Sequence, residues 1–419
     1  MRGKLKISTL LWVMYILIIL IDIRFFYYKS VNHILELVLA IAMIGIMYLG
    51  KGRTLKTISY EMPFIQKLCL TTVACFFCVF VYSVLKYRGQ GLYTTFTGES
   101  SNYKMLLIVL VYPIAYFLMK FGIKRVLRML NIIAGIGYIV SITQFTLYNV
   151  AGVIFLPAIS ISGDPFLYGT LRLTLPWLGN IMILYNFYMF FIQKPEKRKT
   201  KILYFTLFLI GFIDCIMIAR VRGATIVIVP CLVINVLLNR TTSASLVKKI
   251  GFIVGICLFA YLTDYIGDFL ETFSLTATRS YSTVARLYAL DYYWKYFLSH
   301  PLFGFGFADG VRFYSIVHGD GRASISDIGI FGQLGKYGLT IILIYVYPLI
   351  RSFVIMFKAR KNKKIRDNSF FLTLGIFILG SSFSLICIDQ MRMLLWPFYI
   401  TLIEYVYYIH QKDDMVLEL

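Results

Sequence analysis

The run FIQKLCLTTVACFFCVFVYSVL, residues 64–85, decides the fold. A helix needs about 20 mostly apolar residues to cross ~30 Å of hydrocarbon, and a helix satisfies its own backbone hydrogen bonds where no water is present. Cys75 and Cys78 form a C-x-x-C inside the run, but no thioredoxin-like strand and helix surround them, so they read as small hydrophobes. Cys69, Cys215, Cys231, Cys257 and Cys387 also lie in apolar runs and offer no disulfide framework.

Similar runs occur at 7–27, 31–49, 104–120, 126–148, 173–192, 202–219, 223–238, 250–266, 327–351, 369–388 and 393–410. By the length criterion the chain holds about twelve spans. Its 59% hydrophobic and 15% charged residues, with mean hydropathy +0.77, describe a protein whose solvent is the lipid bilayer. The expected fold class is all-α: a polytopic membrane bundle over 1–419, one domain, with a single large extracytoplasmic loop at 264–326. The first run carries Asp22 and Arg24 near its end and reads as a retained span rather than a cleaved signal peptide.

A formal charge of +22 in a soluble chain would point to nucleic acid. Here the basic residues fall at intervals between apolar runs, which is a topology signal and gives no reason to expect a nucleic-acid partner. Lys51/Arg53/Lys56, Lys120/Lys124/Arg125/Arg128, the cluster Lys194 to Lys201, Arg240/Lys248/Lys249 and the cluster Lys358 to Arg366 fall on one side if the spans alternate. With Arg2, Lys4 and Lys6 they place both termini in the cytoplasm. The loop 86–103, the segment 149–172, the Arg220 to Gly223 break, the excursion 264–326 and the turn at Asp389 to Arg392 then face outward.

Within the excursion, residues 282–299 space Leu287, Leu290, Trp294, Phe297 and Leu298 as a helix, with Ser282 able to cap its start and Pro301 enforcing its end. Such an amphipathic helix suits the outer membrane surface, as a lid or wall over the bundle. Gly304, Gly306 and Gly310 follow. No strand precedes them, so they do not form a nucleotide-binding fingerprint. They allow either a tight bend or a close approach of backbone N–H groups to an anion.

Arg286, Tyr293-Trp294, His300-Pro301-Leu302-Phe303-Gly304-Phe305-Gly306, Ser326-Asp327-Ile328-Gly329 and Leu334-Gly335-Lys336-Tyr337-Gly338 together resemble the O-antigen polymerase and ligase superfamily of bacterial polysaccharide assembly. Ala219-Arg220-Val221-Arg222-Gly223 is similar to the Arg-Gly step that ends a span in that family, with the alignment open between Arg220 and Arg222.

The resemblance implies a reaction at the outer face. An acceptor sugar hydroxyl attacks the anomeric carbon of a polyprenyl-pyrophosphate-linked oligosaccharide, and the pyrophosphate leaves. Arginine suits that leaving group, because its permanent charge and bidentate donors match phosphate oxygens. Arg286 and Arg222 are the expected catalytic cations, with Arg220, Gly304, Gly306 and Trp294 on the substrate-binding side. The family's ligase-like members place a His-Asn pair where this chain has Asp327, which reads either as base or orienting group or as a helix cap. His318, in a polar turn, is the other candidate base, and a solvated loop histidine is its bland reading.

No cofactor is expected. Asp309, His318, Asp320 and Asp327 share one loop but match no metal-site spacing, so the expected chemistry is metal-independent. A separate chain-length regulator is a partner the resemblance implies. Asp327 in place of the His-Asn pair favours a polymerase over a ligase that transfers finished glycan to a surface acceptor. A lipid-linked glycan transporter is the alternative from another class, though the chain lacks the paired halves that transporters commonly have.

Overall fold

The computed structural model describes residues 7–23, 32–50, 53–98, 102–155, 166–167, 170–171, 175, 177–193, 195–219, 222–238, 251, 255, 280–321, 323–325, 328–360, 369–384, 386–389 and 392–412. Among the described residues the chain is a helical bundle, with one two-residue antiparallel ladder pairing Phe166–Leu167 with Thr170–Leu171. Its helices are α1 (Ile7–Asp22), α2 (Asn32–Leu49), α3 (Arg53–Glu61), α4 (Pro63–Lys86), α5 (Leu92–Thr97), α6 (Asn102–Phe121), α7 (Ile123–Ala151), α8 (Leu178–Gln193), α9 (Arg198–Ala219) and α10 (Arg222–Leu238). After the start of the excursion come α11 (Ser280–Ser299), α12 (Tyr314–His318), α13 (Ile330–Tyr337), α14 (Ile342–Ala359), α15 (Ser369–Ser381) and α16 (Leu395–Gln411).

Among the described residues, α4, α6, α7, α9 and α14 are each long and apolar enough to cross a membrane, and α2 with α3 makes a sixth if counted as one broken span. Helices α1, α8, α10 and α15 are apolar but shorter. The apolar run 250–266 lies almost wholly outside the described residues. Leu70, Phe77 and Val81 of α4, and Ile132, Ile136 and Ile139 of α7, are each more than half exposed. Rows of large aliphatic and aromatic side chains facing away from the core along two long helices are what a lipid-facing surface requires.

Polar groups inside the bundle are used to join helices. Asn131 and Asn186 exchange two side-chain hydrogen bonds of 2.8 Å between α7 and α8. Lys104 of α6 lies 3.5 Å from Asp22 and 3.3 Å from Glu36, and the Trp177 indole donates to Asp22 at 2.6 Å, so one buried cluster ties α1, α2, α6 and the start of α8. Cys69, Cys75, Cys78, Cys215, Cys231 and Cys387 are free thiols.

The apolar run 327–351 is not one straight helix. It breaks between α13 and α14 at Gly338, whose φ is +61°, and a side chain there would meet the Pro301 carbonyl oxygen at 2.4 Å. The Pro301 carbonyl also accepts from the Leu339 N–H at 2.7 Å. A left-handed glycine closes α13 because the excursion docks into the break.

Candidate functional site

Residues 300–307 are held between the end of α4 and the end of α13. The Tyr82 hydroxyl donates to the Gly304 carbonyl at 3.1 Å, and that of Tyr87 donates to Phe305 at 2.7 Å. Phe305 N–H donates to Gly335 at 3.0 Å, Gly306 N–H to Lys336 at 2.8 Å and Phe307 N–H to Ser83 Oγ at 2.8 Å. Gln90 completes the clamp, donating to the Phe307 carbonyl at 2.7 Å and accepting from Asp309 N–H at 3.1 Å.

This geometry corrects the expectation that Gly304 and Gly306 offer free amides to an anion. Their N–H groups already donate within the protein, Gly304 to the His300 carbonyl at 3.0 Å. Both have positive φ, and a Cβ on Gly304 would lie 2.1 Å from the Gly335 carbonyl oxygen, while one on Gly306 would lie 2.4 Å from Ser83 Oγ. Gly304→Ala is expected to destabilise the docked segment by about 1–3 kcal/mol, since backbone cannot yield to the added methyl. Thermal unfolding of purified protein, with proteolysis of the excursion as second readout, measures the loss. An unchanged melting temperature would refute the docking.

Lys86, at the end of α4, donates to the hydroxyls of Tyr82 at 2.8 Å and Tyr296 at 3.2 Å. His300 stacks on Tyr296 with ring centroids 4.7 Å apart. Partial burial, and secondly the nearby Lys86 ammonium, push the His300 pKa below its ordinary value. The docked state therefore prefers neutral imidazole. Its contribution to docking is present above the ordinary histidine pKa of about 6.5 and is lost as pH falls through the lowered value. Hydrogen exchange at 300–307, corrected for intrinsic rates, is expected to speed up between pH 7.5 and 5.5 in the wild type and to stay flat in His300→Gln.

The helix predicted at 282–299 is α11, ended before Pro301 as expected, and it packs inward through the face opposite its leucines. Ala289 and Tyr293 are buried with Phe305, Val317, Ala323 and Ile328, while Leu287, Leu290, Trp294 and Leu298 are exposed. The physical reason is the tyrosine hydroxyl. Tyr292 donates to the Ser315 carbonyl at 2.7 Å and Tyr293 to that of Val317 at 2.6 Å, satisfying loop backbone that an aliphatic face would leave unpaired. Burial pushes the Tyr292 hydroxyl up to about 12 and also raises Tyr293, so both remain donors at neutral pH.

Arg286 is exposed, one helical turn before Ala289. Ile328, in the same small core as Ala289, leads into Gly329 and Ile330, whose N–H donates to the Ser382 carbonyl at 2.7 Å. Ser382 follows α15, which packs on α10 with Gly380 against Val227. Val227 lies five residues beyond Arg222, roughly 7.5 Å along the axis. The Arg286 helix thus shares a core with the 328–330 turn, that turn bonds the end of α15, and the end of α15 packs on α10. The Arg222 side chain, Arg220 and Asp327 lie outside the described residues.

The structure also holds cations that the sequence reading left out of the site. Lys336, quoted only as part of a motif, is buried in α13, with its ammonium 5.0 Å from the Tyr337 ring centroid and 5.9 Å from that of Phe307. Burial pushes the pKa of the Lys336 ammonium down to about 7, against the opposing pull of the Asp389 carboxylate, which pairs with Arg392 at 3.0 Å. The signal available in the sequence was Arg392 itself, a cation in a short turn between apolar runs. His318 ends α12 with Nδ1 3.3 Å from the Ala323 carbonyl oxygen and its ring against Tyr314, and Trp294 stands beside Phe331 on the outer side of α11. Among the described residues, no three His, Cys, Asp or Glu side chains are grouped to hold a metal ion. No protein-family model matches this chain, and no curated protein matches it.

Proposed function

We propose that the chain is an integral membrane glycosyltransferase that uses a lipid-pyrophosphate-linked glycan donor. Within that class it is a polysaccharide polymerase, joining repeat units on the outer face of a bacterial plasma membrane. The observation that supports this reading is a bundle of membrane-length apolar helices in which the Arg286 helix packs on the helix carrying Lys336, with Asp389, paired to Arg392, acting on Lys336. A membrane helix bundle bearing such cations suits a substrate whose polyprenyl tail stays in lipid while its pyrophosphate lies at the surface.

In the reaction, the acceptor hydroxyl oxygen forms a bond to the anomeric carbon as the bond from that carbon to the phosphate oxygen breaks. Charge grows on the departing oxygen, where Arg286 and Arg222 act as electrostatic partners, with Arg220 on the substrate-binding side. Asp327 or His318 accepts the hydroxyl proton. Trp294 offers an exposed ring for a sugar face. Direct displacement inverts the anomeric centre. The proposed topology has about twelve spans with both termini cytoplasmic, set by the basic loops. The reaction needs no metal or cofactor, and a separate partner sets chain length.

The test is a surface polysaccharide ladder from a strain lacking the gene, complemented with wild type or site variants at matched membrane expression. Single repeat units in the deletion strain, extended to polymer only by active protein, support polymerisation. Full-length polymer stranded on its lipid carrier would instead mean ligation, and repeat units trapped on the cytoplasmic leaflet would mean transport. Chelator added to membranes is expected to leave activity within twofold, and a complete loss would refute metal independence.

A further inference from the structure

At the end of α4 opposite Lys86 lies a cavity of about 500 Å³, lined by Glu61, Phe64, Lys67, Arg351, Glu404 and Tyr407 among others. Its volume is that of a small-molecule site. It lies between α4, α14 and α16, away from the docked excursion, and nothing in the proposed reaction uses it.

The charges there are not equivalent. Glu404, buried, takes Arg351 bidentately at 2.7 Å through Nε and 3.1 Å through Nη2. The guanidinium is fixed further by the rings of Phe64, 4.3 Å away, and Tyr407, 5.5 Å away. Glu61 is paired with Lys412 at 2.9 Å. Both carboxylates are thus neutralised, whereas Lys67 has no ion pair among the described residues. The first turn of α4 also lines the cavity, and its N-cap, Met62, gives no side-chain cap bond. A positive helix end, an unpaired ammonium and an Arg351 Nη1 outside the bidentate pair together favour an anion.

The lining also has an apolar, outward side. Leu343 and Tyr347 belong to the cavity wall and are each more than half exposed on α14, a membrane-length helix. An anion held at Lys67 can therefore carry a hydrocarbon chain that leaves over these two residues into the bilayer. We infer that this cavity binds the phosphate headgroup of an anionic membrane lipid. Assigning that end to the cytoplasmic leaflet rests on the topology proposed above, whereas the site itself does not.

The test titrates full-length protein in detergent with dihexanoyl phosphatidylglycerol, dihexanoyl phosphatidylcholine or inorganic phosphate, following binding by calorimetry. Phosphatidylglycerol is expected to bind saturably. Lys67→Ala, at an exposed position, is expected to weaken it about tenfold, the loss of one charge-assisted contact, with Lys67→Arg retaining most of it. Thr71→Trp, which fills the cavity, is expected to abolish binding. Equal binding of the two lipids, or wild-type affinity in both Lys67→Ala and Thr71→Trp, would overturn the site. Inorganic phosphate binding as tightly as phosphatidylglycerol would overturn the lipid as its occupant. Polymer synthesis is read separately from the surface ladder, so failure here leaves the proposed reaction standing.

Discussion

Arg286→Ala is expected to lower polymer synthesis by about 10²–10³-fold, the usual loss when one preorganised electrostatic partner of a departing oxyanion is removed. The residue is exposed on α11, outside the hydrophobic cluster around Tyr293, so the variant is expected to reach the membrane and melt like wild type. Arg286→Lys is expected to recover only part of the activity, because lysine keeps the charge but not the bidentate geometry. Lys295→Ala on the same helix is the control. Its pairing with Asp291 at 2.7 Å is between well-exposed groups, and such pairs contribute little. Quantified ladders from matched membranes decide the matter: wild-type polymer in Arg286→Ala would remove this residue from the site.

Lys336→Met is expected to separate stability from activity. A buried cation replaced by an apolar side chain of similar length is commonly neutral or stabilising, since the desolvation cost of the charge disappears. The melting temperature is therefore expected to hold or rise. Polymer synthesis is expected to fall by about tenfold, because burial holds the Lys336 pKa at about 7 and the variant removes both its partial charge and its donor from beside Asp389. A variant that loses stability and activity together would assign Lys336 to the core, and one that keeps both would remove it from the proposed mechanism.

The small core of the excursion explains why part of the site was legible in the sequence and part was not. The run ending before Pro301 could be read as a helix from its apolar spacing, with the proline, which cannot donate a backbone hydrogen bond, marking its end. Which face of α11 packs inward could not be read from apolar spacing. Tyr288, Tyr292 and Tyr293 supply hydroxyls to loop backbone, and the backbone they meet, around 315–320, comes from elsewhere in the chain. The glycines of 304–306 invited an anion-binding reading because their conformational freedom serves either purpose. What they touch, the Gly335 backbone and Ser83, became visible only after folding.

The sequence by itself determined the helical class, the apolar surface and the position of the polar excursion, since these depend on run length and composition, which are local properties of the chain. It also placed Arg286 in the polar excursion and Arg222 in a short break between apolar runs, and the resemblance singled both out. Only the tertiary structure decided that α11 and the 328–330 turn share a core, that this turn bonds the end of α15, and that Asp389 acts on Lys336 while pairing with Arg392. It alone produced the cavity at the other end of α4. Proximity of this kind is fixed by close packing between segments far apart in sequence, such as Gly380 against Val227 and Gly329 against Ser382, and no local pattern records it.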